Sequence, residues 1–82
     1  MARQGEVIGT GRISEEKKGM RYTIEYKVIY VGKGLTGIRL PTGQFAHLSR
    51  RDDEIHMAKR LLMEIIDSGL ADRSDLVQKE KL

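Results

Sequence analysis

Eighty-two residues carrying a net charge of +3, with 33% charged and 39% hydrophobic side chains, describe one small globular domain rather than a disordered chain. The absence of cysteine excludes a disulfide framework, a thiol nucleophile and a thiolate metal site. The longest unbroken apolar run, Val28 to Val31, falls far short of the ~18 residues of a membrane span. The opening residues Met-Ala-Arg-Gln-Gly-Glu lack the apolar core of a signal peptide, so an intracellular, cytoplasmic protein is expected.

The charge is unevenly spread. Residues 1–41 hold eight Lys/Arg against four Glu, whereas residues 42–82 hold seven Lys/Arg against eight Asp/Glu. The first half is therefore basic and the second nearly balanced. A one-sided basic surface attracts polyanions, although the same charge also serves solubility.

Taken in order, residues 6–13 read as a first strand. Val7 and Ile13 are candidate core residues, with Gly9 and Gly11 between them on the same side, where glycine permits a bulge or a close approach. Gly9-Thr10-Gly11 lacks the third glycine and the following helix of a dinucleotide fingerprint. Ser14 to Gly19 is polar and fits a hairpin loop with Lys17 and Lys18 at its tip. Residues 20–31 organise the rest. Met20, Tyr22, Ile24, Tyr26, Val28 and Tyr30 alternate with Arg21, Thr23, Glu25 and Lys27, the period of two that marks a strand with one buried face.

Gly32-Lys33-Gly34 is a hairpin signal; it lacks the spacing of a Walker phosphate loop and leads into strand-like residues 35–40 rather than a helix. Pro41-Thr42-Gly43 makes a turn, and residues 44–48 return as a short fourth strand. Val28, Ile38, Leu40, Phe45 and Leu48 are candidate core residues. A long helix is expected over about 50–68. Ser49 and Asp52 resemble a capping box, acidic residues crowd the first turn, and Ile55, Ala58, Leu61, Leu62, Ile65 and Ile66 form an apolar arc. Gly69 follows as a C-terminal cap. Residues 70–82 form a polar tail in which Ser74 is a candidate cap for one short helix, the alternative being a loose end.

The expected architecture is α+β: a three- to four-stranded antiparallel meander with one long amphipathic helix across one face, residues 1–69 forming the domain. In shape this resembles some DNA-reading modules, such as the N-terminal domains of certain phage-type integrases. It also resembles the second half of double-stranded-RNA-binding domains, although no helix precedes the sheet here. This likeness of shape is an analogy and implies no activity by itself.

Tyr22, Tyr26 and Tyr30 line one side of the central strand. Base stacking is one use of such a ladder, but the helix needs an apolar partner, and a core role with hydroxyls at its border fits better. The opposite face should show Arg21, Thr23, Glu25 and Lys27, joined by Arg12 and Arg39, with Lys17, Lys18 and Lys33 at the loops. Such a ribbon suits phosphates and base edges. The bland alternative is a solvated sheet face. His47 and His56 have no neighbouring ligand types in a metal spacing, and no nucleophile motif or separated carboxylate pair is present. The expected function is thus a non-enzymatic nucleic-acid-binding module without cofactor. DNA is favoured over RNA, and Arg12, Lys17, Lys18, Arg21, Lys27, Lys33 and Arg39 are the contact residues. The rival is a protein-interaction module: a homodimer, an adaptor, or a small inhibitor gripping an acidic partner through the open sheet edge and the Met57/Met63 border of the helix.

Overall fold

The computed structural model describes residues 2–82. The elements are β1 (Val7–Lys17), β2 (Met20–Gly32), β3 (Leu35–Arg39), β4 (Phe45–Leu48), α1 (Glu54–Asp67), α2 (Leu70–Arg73) and β5 (Gln78–Lys81). The first four strands form an antiparallel meander, as the alternation of the sequence implies. β5 completes a five-stranded sheet by pairing antiparallel with β2. β2 is the hub. β1 runs along one of its edges, while β3 and β5 lie end to end along the other, β3 against Lys27–Gly32 and β5 against Met20–Thr23. Among the described residues no helix is long and apolar enough to cross a membrane.

The even face of β2 is the buried one. Tyr22, Ile24, Tyr26 and Val28 pack with Ile13, Ile38, Leu40 and Leu48 beneath Ala58, Leu61, Leu62, Ile65 and Ile66 of α1. Ala71 of α2 and Val77, just before β5, close the core. Tyr22 and Tyr26 behave as core residues with polar tips, whereas Tyr30 stays half-buried outside the core, its hydroxyl accepting from Gly34 N–H at 3.3 Å. Tyr22 Oη donates to Asp72 at 2.7 Å and Tyr26 Oη donates to Glu54 at 2.5 Å. The bond to Glu54, then burial and the negative charge of Glu54 and Asp53, push the Tyr26 phenol up to about 12. Asp72 and burial push Tyr22 in the same direction. An unfolded tyrosine ionises near ~10, so this stabilisation is complete below that pH and is lost as pH climbs through the folded value. Thermal melts should therefore show stability falling between roughly pH 10 and 12. The fall should be shallower in Tyr26→Phe; an unchanged slope in that variant would contradict the assignment.

Several local expectations change. The polar stretch 14–19 is not an open loop. β1 runs to Lys17, and the connection is a two-residue turn, Lys18 (φ 52°) and Gly19 (φ 76°). Lys33 (φ 56°) and Gly34 (φ 75°) repeat this arrangement between β2 and β3. Positive φ at both central residues matches the right-handed twist of the paired strands, at the cost of a strained lysine in each turn. A bulge between Val7 and Gly9 shifts the register by one residue, which turns Val7 away from the core to 46% exposure.

The sequence also offers Phe45 as a core residue. It lies instead on the outer face, because the pairing of Thr36 with Leu48 and Ile38 with Ala46 turns Leu48 and Ala46 inward. The helix starts later than expected. Asp53 is its cap, accepting from the N–H groups of Ile55 (2.9 Å) and His56 (3.4 Å). Ser49 and Asp52 form a turn just before it: Ser49 N–H donates to the Asp52 carboxylate at 2.8 Å, which holds that carboxyl below its usual range. Ile55, in the first turn, stays 54% exposed rather than joining the buried arc. The C-terminal tail is ordered into α2 and β5. Lys79 fastens them, its ammonium donating to the carbonyls of Ala71 (3.0 Å) and Ser74 (2.8 Å).

Candidate nucleic-acid interface

Register alone determines what the outer face of the sheet presents. Opposite residues line up across the strands in successive rows: Glu16–Arg21–Glu80, Ser14–Thr23–Gln78, Arg12–Glu25, Thr10–Lys27–Arg39–Phe45, and Val7–Ile29–Gly37–His47. The first three rows are internally matched. Arg21 bridges Glu16 at 3.0 Å and approaches Glu80 at 4.0 Å. Ser14 and Thr23 share a hydroxyl hydrogen bond at 2.8 Å, and Arg12 bridges Glu25 at 3.0 Å. Pairs this exposed add little stability, yet each places a carboxylate beside its cation and weakens the local positive field.

The fourth row differs. Lys27 and Arg39 stand directly opposite one another, and neither has an ion-pair partner among the described residues. Like charges facing across a ladder repel, so this pairing works against stability and favours an anion between them. Arg39 reaches over the Phe45 ring, its guanidinium carbon 5.9 Å from the ring centroid. His47 meets the same ring edge to face, with centroids 5.0 Å apart. Gly37 provides the seat. A Cβ there would lie 2.3 Å from Phe45 Cζ, so only glycine lets the ring lie down over β3. Beside it Ile29, paired with the equally buried Gly37, is buried on this outer face.

The sequence-derived residues therefore do not act as one group. Lys27 and Arg39 come together. Arg12 and Arg21 share their face but are tied to Glu25 and Glu16. Lys17 belongs to the helix side of the sheet, where its ammonium pairs with Asp67 of α1. Lys18 sits in the β1–β2 turn and Lys33 in the β2–β3 turn, at opposite ends of a sheet in a molecule 43 Å long. Sequence reasoning missed Phe45, His47 and Arg50. Arg50 has its guanidinium beside the Lys33–Gly34 turn, 3.8 Å from where a Cβ on Gly34 would be.

A second feature lies along β2, where β3 stops and β5 has yet to begin. Among the described residues, 24–26 have no strand neighbour on that edge. A cavity of about 320 Å³ opens there, lined by Arg12, Thr23, Glu25, Pro41, Asp75 and Leu76 among others. Its one cation is the Arg12 already bound to Glu25, and Asp75 adds further negative charge. No family model, characterised protein or solved structure matches this chain.

Proposed function

We propose that this protein is a small nucleic-acid-binding module that uses the outer face of its sheet, with DNA the first ligand to test. The observation that carries this reading is the Lys27–Arg39 pair. Two cations face each other without a carboxylate, next to an exposed aromatic ring, on a sheet whose other outer-face arginines are neutralised. A phosphate between them removes their mutual repulsion and releases counterions. Lys33 and Arg50, at the end of the sheet two rows further on, extend the attraction. The role is one of binding rather than catalysis.

An amide NMR titration with a mixed-sequence DNA at low and then moderate salt tests this. Shifts centred on Lys27, Arg39, Phe45 and His47 that shrink as salt rises are the expected result. The double variant Lys27→Gln with Arg39→Gln should weaken binding by about tenfold or more and flatten the salt dependence by roughly 1.4–1.8 units of slope, for two lost phosphate contacts. Arg21→Gln should change affinity much less, because that guanidinium already belongs to Glu16. If the double variant binds as the parent does, the reading fails.

A protein-interaction role has one observation in its favour. Among the described residues the eleven-residue β1 pairs on one edge only, leaving the other free to accept a strand. Sedimentation across a concentration series addresses the homodimer form of that role, which requires mass to rise with concentration.

A further inference from the structure

The rows of the outer face also bear on which form of nucleic acid fits. A duplex laid along the sheet must cross the matched rows, where Glu16, Glu25 and Glu80 accompany their arginines and meet its phosphates with like charge. The unneutralised row is short. It runs across β2, β3 and β4 from Lys27 through Arg39 to Phe45, with His47 one row beyond. Strands lie ~4.8 Å apart, so this row spans on the order of 10 Å, the reach of two or three nucleotides.

Its aromatic member is arranged as a platform. Phe45 is 37% exposed although it is the chain's single phenylalanine. It is seated over Gly37, flanked edge-on by His47 and overhung by Arg39, so its position is fixed before anything binds. A ring held low over a sheet cannot reach into a stacked duplex, but an unpaired base can lie on it once the exposed Arg39 guanidinium lifts from the ring to meet a flanking phosphate, with Lys27 opposite meeting the next. Resting on the reading of the outer face given above, we propose that the ligand is single-stranded nucleic acid, with one base stacked on Phe45.

Fluorescence-anisotropy titrations with a labelled single-stranded DNA 12-mer, the matching RNA 12-mer and the DNA duplex, all at one low salt concentration, decide this. The wild-type protein should bind a single strand more tightly than the duplex, and the two single-strand arms tell DNA from RNA. Stacking one base on an aromatic ring is worth roughly 5- to 160-fold in affinity, so Phe45→Leu should lose about that much for the single strand and almost nothing for the duplex. Phe45→Tyr should keep the single-strand affinity. Gly37→Ala retains the ring but unseats it, and should reproduce part of the loss; thermal melts of each variant confirm folding. Duplex binding as tight as single-strand binding, or a Phe45→Leu loss equal on both ligands, would overturn the inference while leaving the basic face as a binding surface. Absence of any binding by wild-type protein at low salt would overturn both.

Discussion

Replacing Leu62 with alanine should lower the melting temperature by at least about 10 °C, among the largest effects expected of a single truncation in this chain. Leu62 lies at the middle of α1 and is completely buried against the even face of β2. Losing the side chain removes its transfer energy and leaves a hole that a thin core cannot close, together about 2–5 kcal/mol. A domain of this length has on the order of 4–12 kcal/mol in total, so the variant gives up a large share of what holds the fold together. Leu62→Met nearly conserves volume and should cost less than about 1.5 kcal/mol. Denaturant melts of both variants check the argument. Similar losses for Ala and Met would mean that shape rather than volume governs this position.

The second large effect concerns Gly11. A Cβ at this position would lie 2.4 Å from both Cζ and Oη of Tyr26, closer than real atoms approach. The ring is 4% exposed and its hydroxyl is committed to Glu54, so it cannot swing aside. Gly11→Ala should therefore destabilise by about 1–3 kcal/mol from overpacking, more than the ~0.5–1 kcal/mol that alanine ordinarily gains over glycine in a strand. The conflict is with one ring, so a double-mutant cycle isolates it. In a Tyr26→Leu background, Gly11→Ala should cost little or nothing. Equal costs in both backgrounds would show that the backbone itself, and not Tyr26, requires glycine.

What the sequence discloses follows from how strongly each residue's environment is written into its neighbours. Six alternating apolar positions in β2 leave one possible face, and the helix arc from Ala58 to Ile66 leaves one possible stripe, so both are visible before folding. Phe45-Ala46-His47-Leu48 is too short to define a face. Phenylalanine looks like a core residue, and only the pairing of Ile38 with Ala46 shows that it points outward. Val7 is turned by one inserted residue, which no periodicity announces. β5 has the sequence Gln-Lys-Glu-Lys, polar on both faces; it is placed by its ladder to β2 and by Val77 before it, not by its own pattern. The candidate site was half legible for the same reason. The seven cations are plain to read, but that Arg12 and Arg21 are spent on Glu25 and Glu16 depends on a register thirteen and five residues apart in the chain.

The end-to-end arrangement of β3 and β5 along β2 has a consequence for how the chain assembles. The β1–β2 and β2–β3 hairpins each join neighbours across a two-residue turn, so β1, β2 and β3 can zip together within microseconds to milliseconds at small entropic cost. β5 must instead find Thr23 from Gln78, closing a loop of 55 residues that includes the whole of α1. That closure is repaid only once α1 and α2 have docked and carried Val77 into place, which makes β5 the last strand to join. It should also be the first to leave, taking Val77 with it and baring the Met20–Thr23 edge of β2 while the meander stays intact.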